Sequence, residues 1–144
     1  MNIYQIDRVI RQHVRRFDDV FACDRLLTKP RLIVCNTDPS DMPGEHWIAI
    51  YVDDDGRYGE YFDPIGRAPT RVFERYMNEH CCEWIYNCKQ LQSIASRFCG
   101  YYCACFCILR NSDIDMRRFL CYFTRDCELN DVVVHELMYG SIVR

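Results

Sequence analysis

The chain has no uncharged apolar stretch near the roughly 18 residues that a membrane-crossing helix needs. It has no run of more than three like charges and no excess of basic residues: the formal charge is −3 and the pI about 5.8. Nucleic acid is therefore not the default partner. The one local exception, Arg8, Arg11, Arg15 and Arg16, reads best as the solvated face of a helix. Repeats, Gly/Ser linkers and low-complexity segments are absent, which excludes solenoid and disordered classes. No CxxC…CxxC pair occurs, and Asp53-Asp-Asp-Gly56 lacks the ligand spacing and closing Glu of a calcium loop. The opening residues Met1-Asn-Ile-Tyr-Gln-Ile-Asp7 do not read as a secretory signal.

Cysteine, by contrast, is abundant. Eleven thiols, an odd number without a secretory signal, fit a reducing compartment. The expected location is an intracellular one. Most of these cysteines should act as small hydrophobes in the core. A zinc site built from Cys81, Cys82, Cys88, Cys103, Cys105 and Cys107 is disfavoured. In a helix, alternate residues point about 200° apart, so of the last three only Cys103 and Cys107 share a face.

At 144 residues the chain suits one domain, 1–144. Ile3, Ile6, Ile10, Val14 and Phe17 predict a helix over residues 2–16. Arg31–Cys35, Trp47–Val52, Arg57–Phe62 and Glu83–Asn87 read as strands, with Asp53–Gly56 a turn. Trp47–Val52 is apolar throughout, as expected of a strand covered on both faces. Pro69-Thr70 opens a helix through Glu79, and Cys99–Arg110 reads as a buried helix. Ser112 with Asp115 resembles a capping box ahead of a helix bearing Met116, Phe119, Leu120 and Phe123. A last helix runs from Asn130 to Tyr139, stopped by Gly140. The fold class is α+β, a small mixed sheet packed by helices.

Four residues in this frame carry chemistry. If the strands flanking the turn pair antiparallel with Val52 opposite Arg57, His46 falls opposite Asp63. Opposed side chains have Cβ atoms about 4.5–5.5 Å apart, close enough for a carboxylate to orient an imidazole. Cys99 begins a helix, where free N–H groups favour a thiolate, with Ser96 or the following loop as the start. Gly100 leaves room for a substrate backbone. Gln92, in the loop before Cys99, can donate its amide N–H to an oxyanion beside the Cys99 N–H. Taken singly, His46 reads as a strand-edge histidine, Asp63-Pro64 as a turn starter and Cys99 as one more core thiol.

Together, Pro43-Gly-Glu-His46-Trp47, Tyr61-Phe-Asp63-Pro-Ile-Gly66 and Gln92-x6-Cys99-Gly100-x-Tyr102-Cys103 resemble the adenovirus maturation protease family, adenain. The likeness is greatest to the branch encoded by Polinton/Maverick transposons and adenovirus-like viruses. Phe17-Asp-Asp-Val-Phe-Ala-Cys-Asp24-Arg-Leu and Ile33-Val-Cys-Asn36-Thr-Asp38 also fit that branch. Residues 111–144 add little. The resemblance implies a papain-like cysteine protease arrangement with permuted order, His, Asp, Gln, Cys. It implies His46 as general base, Asp63 as its orienting carboxylate, Cys99 as nucleophile, Gln92 in the oxyanion hole and Trp47 as a shield for the histidine. Trp47 reads equally as a core aromatic. The implied activity is a cysteine endopeptidase cutting capsid or core precursors at glycine-containing sites, with no cofactor in the chemistry. The implied partners are protein or peptide substrates and an activating peptide, with no membrane. Activation by DNA, which the family shows, is not expected of an acidic chain. Cys81, Cys82 or Cys88 lies where the family links its activating peptide, though a core or surface thiol is the better reading of each. SUMO-specific proteases share the residue order, so a deconjugating isopeptidase is an alternative. A catalytically silent interaction module on the same fold is another.

Overall fold

Apolar side chains alternate across one sheet and build a core on each of its faces. The computed structural model describes residues 2–15, 17–26, 31–38 and 46–143. Its elements are α1 (Ile3–His13), β1 (Asp19–Ala22), β2 (Leu32–Asn36), β3 (Trp47–Val52), β4 (Tyr58–Phe62), α2 (Arg71–His80), β5 (Glu83–Tyr86), α3 (Cys99–Asn111), α4 (Met116–Cys121) and α5 (Cys127–Val143). The five strands lie in sequence order, β1-β2-β3-β4-β5. The outer pairs, β1 with β2 and β4 with β5, are parallel, and the inner two are antiparallel. The fold is α+β with a mixed sheet, as expected.

Strand β3 explains its own composition. Trp47 and Ala49 join the core shared with α1, α3, α4 and α5, while Ile48, Ile50 and Val52 join the core under α2. A strand buried on both faces needs an unbroken apolar run. α3 lies against β3 at the centre of the first core, where Tyr102 to Cys107 are all buried. Phe62 stacks on Phe106 at 4.9 Å and meets Phe119 edge-on at 5.2 Å, tying β4 to α3 and α4. One charge is buried here. Glu60 Oε2 accepts the Tyr58 hydroxyl (2.7 Å) and the Met116 amide (2.9 Å), and its Oε1 is paired in charge, without a hydrogen bond, with Arg110 Nε at 3.2 Å.

Several boundaries differ from expectation. β1 was not anticipated. The turn between β3 and β4 is longer than expected: Asp53 Oδ1 accepts the amides of Arg57 (2.8 Å) and Tyr58 (3.3 Å), and Val52 faces Gly59 rather than Arg57. The register is thus displaced by two residues, which leaves every side chain on its expected face. Asp115, not Ser112, caps α4, accepting the Arg118 amide. α5 begins at Cys127, and Gly140 lies within it. α1 ends at His13; Arg16 lies outside the described residues.

Candidate active site

The turn after β4 is braced before any chemistry is considered. Gly66 has φ +76°, and a Cβ there would meet the backbone of Cys88 and Lys89 at 2.9 Å, so this close approach needs glycine. Asn87, just past β5, is 2 % exposed. Its Oδ1 accepts the Asp63 amide at 2.8 Å, and its Nδ2 donates to the Asp63 carbonyl at 2.6 Å and the Lys89 carbonyl at 3.1 Å. One side chain thus holds both polar groups of the Asp63 peptide. Sequence reasoning missed Asn87, since its only signal was an amide at a strand end. Asn87→Ala is expected to cost about 1–3 kcal/mol of stability in denaturant titrations, because it leaves a buried N–H and C=O unpaired.

Asp63, 3 % exposed, aims Oδ1 at two donors: the Ile65 amide at 2.8 Å and His46 Nε2 at 2.8 Å. His46 is held by its own backbone, whose carbonyl accepts the Thr37 amide (2.9 Å) and hydroxyl (3.3 Å) at the end of β2. The displaced register makes His46 and Asp63 diagonal rather than direct neighbours, still on one face. The ring also hydrogen-bonds Cys99. With Nε2 taken by Asp63, Nδ1 is the nitrogen left for the thiol. Pro43, Gly44 and Glu45 lie outside the described residues.

Burial would lower the His46 pKa, but the hydrogen bonds to Asp63 and Cys99 and their charges outweigh it and lift the group to about 9. At neutral pH the ring is therefore an imidazolium, presenting N–H groups to both partners. Burial pushes Cys81 and Cys105 up to about 11 and holds Cys35, Cys103 and Cys107 above the ordinary thiol range. Those thiols are inert filler. No disulfide links the cysteines. Cys99 is itself 4 % exposed, and its imidazole partner is what separates it from them.

Cys99 is the first residue of α3, with Phe98 at the N-cap and no capping side chain. Ser96 does not start the helix; its hydroxyl and amide both turn back to the Ser93 carbonyl at 3.1 Å. Gln92 is 1 % exposed. Its backbone amide donates to the Pro64 carbonyl at 3.0 Å, which ties the loop to the Asp63 turn. Its Nε2 donates to the Ser96 carbonyl at 3.0 Å, leaving one amide N–H without an acceptor among the described residues. Its Oε1 is buried and unpaired. Trp47 is 8 % exposed and packs in the first core. Among the described residues no cluster of three or more His, Cys, Asp or Glu is arranged to hold a metal, and no helix is long and apolar enough to cross a membrane.

No family model matches the chain, and no curated protein matches its sequence. Solved structures do match in fold. The pS273R protease of ASFV superposes with a TM-score of 0.64 at 18 % identity, over 93 % of this chain and 66 % of that one. Its selenomethionine form gives 0.53 at 24 % identity, over 73 % and 43 %. The SUMO protease Ulp1, with its catalytic cysteine oxidised to a sulfonic acid, gives 0.45 at 12 % identity, over 99 % and 79 %. The chain thus spans no more than about two-thirds of the ASFV protease and shares its α+β fold.

Proposed function

We propose that the chain is a cysteine endopeptidase. The observation that carries this reading is the hydrogen-bonded series Asp63, His46, Cys99, with the sulfur at the uncapped start of α3. The fold shared with the ASFV protease supports it. With its thiol proton carried by His46, the Cys99 sulfur attacks a peptide carbonyl carbon, and the carbonyl oxygen becomes an oxyanion beside the Cys99 N–H and the second N–H of Gln92. His46 gives its proton to the amine nitrogen as the C–N bond breaks, leaving a thioester. Water then attacks the thioester, His46 takes the water's proton, and the acid departs. Every group used belongs to the chain. His46 already holds its proton at rest, so its first step is as an acid, its role as base falling in the second half.

The finer reading, an adenain-type enzyme cutting capsid or core precursors at glycine-containing sites, rests on the motifs of residues 17–103. Peptide-library profiling tests the substrate: cleavage of extended peptides at glycine-containing sites is expected. Turnover confined to diglycine-linked ubiquitin-like probes would instead make the enzyme a deconjugating isopeptidase. Gln92→Ala is expected to lower kcat by about 10²–10³ with little change in KM, as for other lost oxyanion donors. A loss below threefold would assign the oxyanion to another donor.

A further inference from the structure

The last helix adds little to the family resemblance, yet it grips the loop that carries Gln92. α5 turns Asn130 and Asp131 inward, 2 % and 5 % exposed. Asn130 Nδ2 donates to the Leu91 carbonyl (3.1 Å) and the Thr124 carbonyl (2.9 Å), while its Oδ1 accepts the Thr124 amide (2.9 Å) and hydroxyl (3.1 Å). Asp131 accepts the Ser93 amide at 3.3 and 3.4 Å and the Tyr102 hydroxyl at 2.8 Å. The peptide groups on either side of Gln92 are therefore both held from α5. The same Asp131 carboxylate is bonded to α3, three residues past Cys99. Lys89 braces the loop's other end, donating to the Leu120 and Phe123 carbonyls at 2.8 Å each.

Among the described residues no cation pairs with Asp131. A carboxylate buried without a counter-charge is costly, and its gain is a stronger hold on its donors. Those donors lie on the two segments whose relative position sets an oxyanion hole. We propose that Asp131 is a positioning residue: by holding the Ser93 amide and the Tyr102 hydroxyl on one carboxylate, it sets the Gln92 amide against the Cys99 sulfur. This rests on the reading of Gln92 as an oxyanion donor.

Two reagents separate that role from a merely structural one. Iodoacetamide alkylates Cys99 by displacement of iodide and forms no oxyanion. p-Nitrophenyl acetate acylates it through one: the sulfur attacks the ester carbonyl, the oxygen carries the charge, and p-nitrophenolate leaves as the C–O bond breaks. Both rates are read at the Cys99 peptide by mass spectrometry, with Cys99→Ala as background. Asp131→Ala is expected to slow acylation by about 10–10²-fold, as for groups displaced by roughly an ångström. Alkylation should stay within about twofold. Asp131→Asn, whose Oδ1 still accepts, should acylate within about threefold of the parent. Gln92→Ala/Asp131→Ala should be no slower than Gln92→Ala alone, since both act through one group. If Asp131→Ala does not fold, Tyr102→Phe, which removes one of the two donors without opening a cavity, should lower acylation several-fold at unchanged alkylation.

Parental acylation in Asp131→Ala, or in Tyr102→Phe where Asp131→Ala does not fold, with Gln92→Ala slow, overturns the proposal. So does a parallel fall in both rates, or additive losses in the double variant. Parental acylation by Gln92→Ala instead removes the donor reading on which the proposal rests. Failure of either reagent to modify Cys99 in the unaltered chain overturns the protease assignment itself.

Discussion

Cys99→Ala is expected to abolish peptide cleavage, a loss of about 10⁴-fold or more, and to leave cooperative unfolding intact. No neighbouring thiol can replace it. Cys103 lies one turn further on the same helix face, but burial holds it above the ordinary thiol range, and His46 bonds Cys99 instead. Alkylation must be read by peptide mapping, because Cys82, Cys88 and Cys121 are exposed and will label in any variant. The mapped signal at residue 99 should depend on His46 as well. His46→Ala removes the ring that bonds the thiol and can carry its proton, so labelling of Cys99 should fall steeply while that of Cys88 does not change. Retained cleavage in Cys99→Ala would end the nucleophile assignment. Retained labelling in His46→Ala would remove His46 from the activation of Cys99.

The elements most legible in the sequence were those that carry their own period. α1 announced itself through Ile6, Ile10 and Val14, and β3 through a run with no polar residue. β1 did not, because Asp19–Ala22 is only four residues at a sheet edge. It is placed by Asp18, whose Oδ2 accepts the Arg31 and Leu32 amides at 2.7 and 3.3 Å, a contact that no local pattern foretells. The β3–β4 register depended on how far the Asp53 carboxylate reaches into its turn. The placement of His46 beside Asp63 survived that displacement because a slip of two preserves the face. α5 was read three residues late. Its start is set by Asp126, which accepts the Leu129 amide at 3.1 Å, while the apolar period begins later. Residue type and chain order pointed to His46, Asp63, Gln92 and Cys99, since thiol chemistry needs a nucleophile, a proton carrier, its orienter and a donor. Asn87 and Asp131 hold those groups from distant segments, and nothing in their local sequence marks them.

Asp63→Asn should lower kcat by about 10³–10⁴ without unfolding the chain, and it isolates charge from geometry. Asp63 Oδ1 accepts both the Ile65 amide and His46 Nε2, so an asparagine held by the same Ile65 donor still points an oxygen at the ring. What it loses is the negative charge that helps hold His46 protonated. The His46 pKa of about 9 stands above the ordinary 6.5. Its ionisation therefore favours the folded, assembled site fully below about pH 6.5, and that contribution is lost as pH rises through about 9. Two results follow. In the parent chain, the alkaline limb of kcat/KM should fall near pH 9, where the ring loses the proton destined for the leaving amine. In Asp63→Asn that limb should move toward 6.5, so the rate deficit should grow from pH 6 to pH 8. A deficit independent of pH, or an alkaline limb unmoved by the substitution, would remove Asp63 from control of the imidazolium. Turnover equal to the parent would remove it from the mechanism.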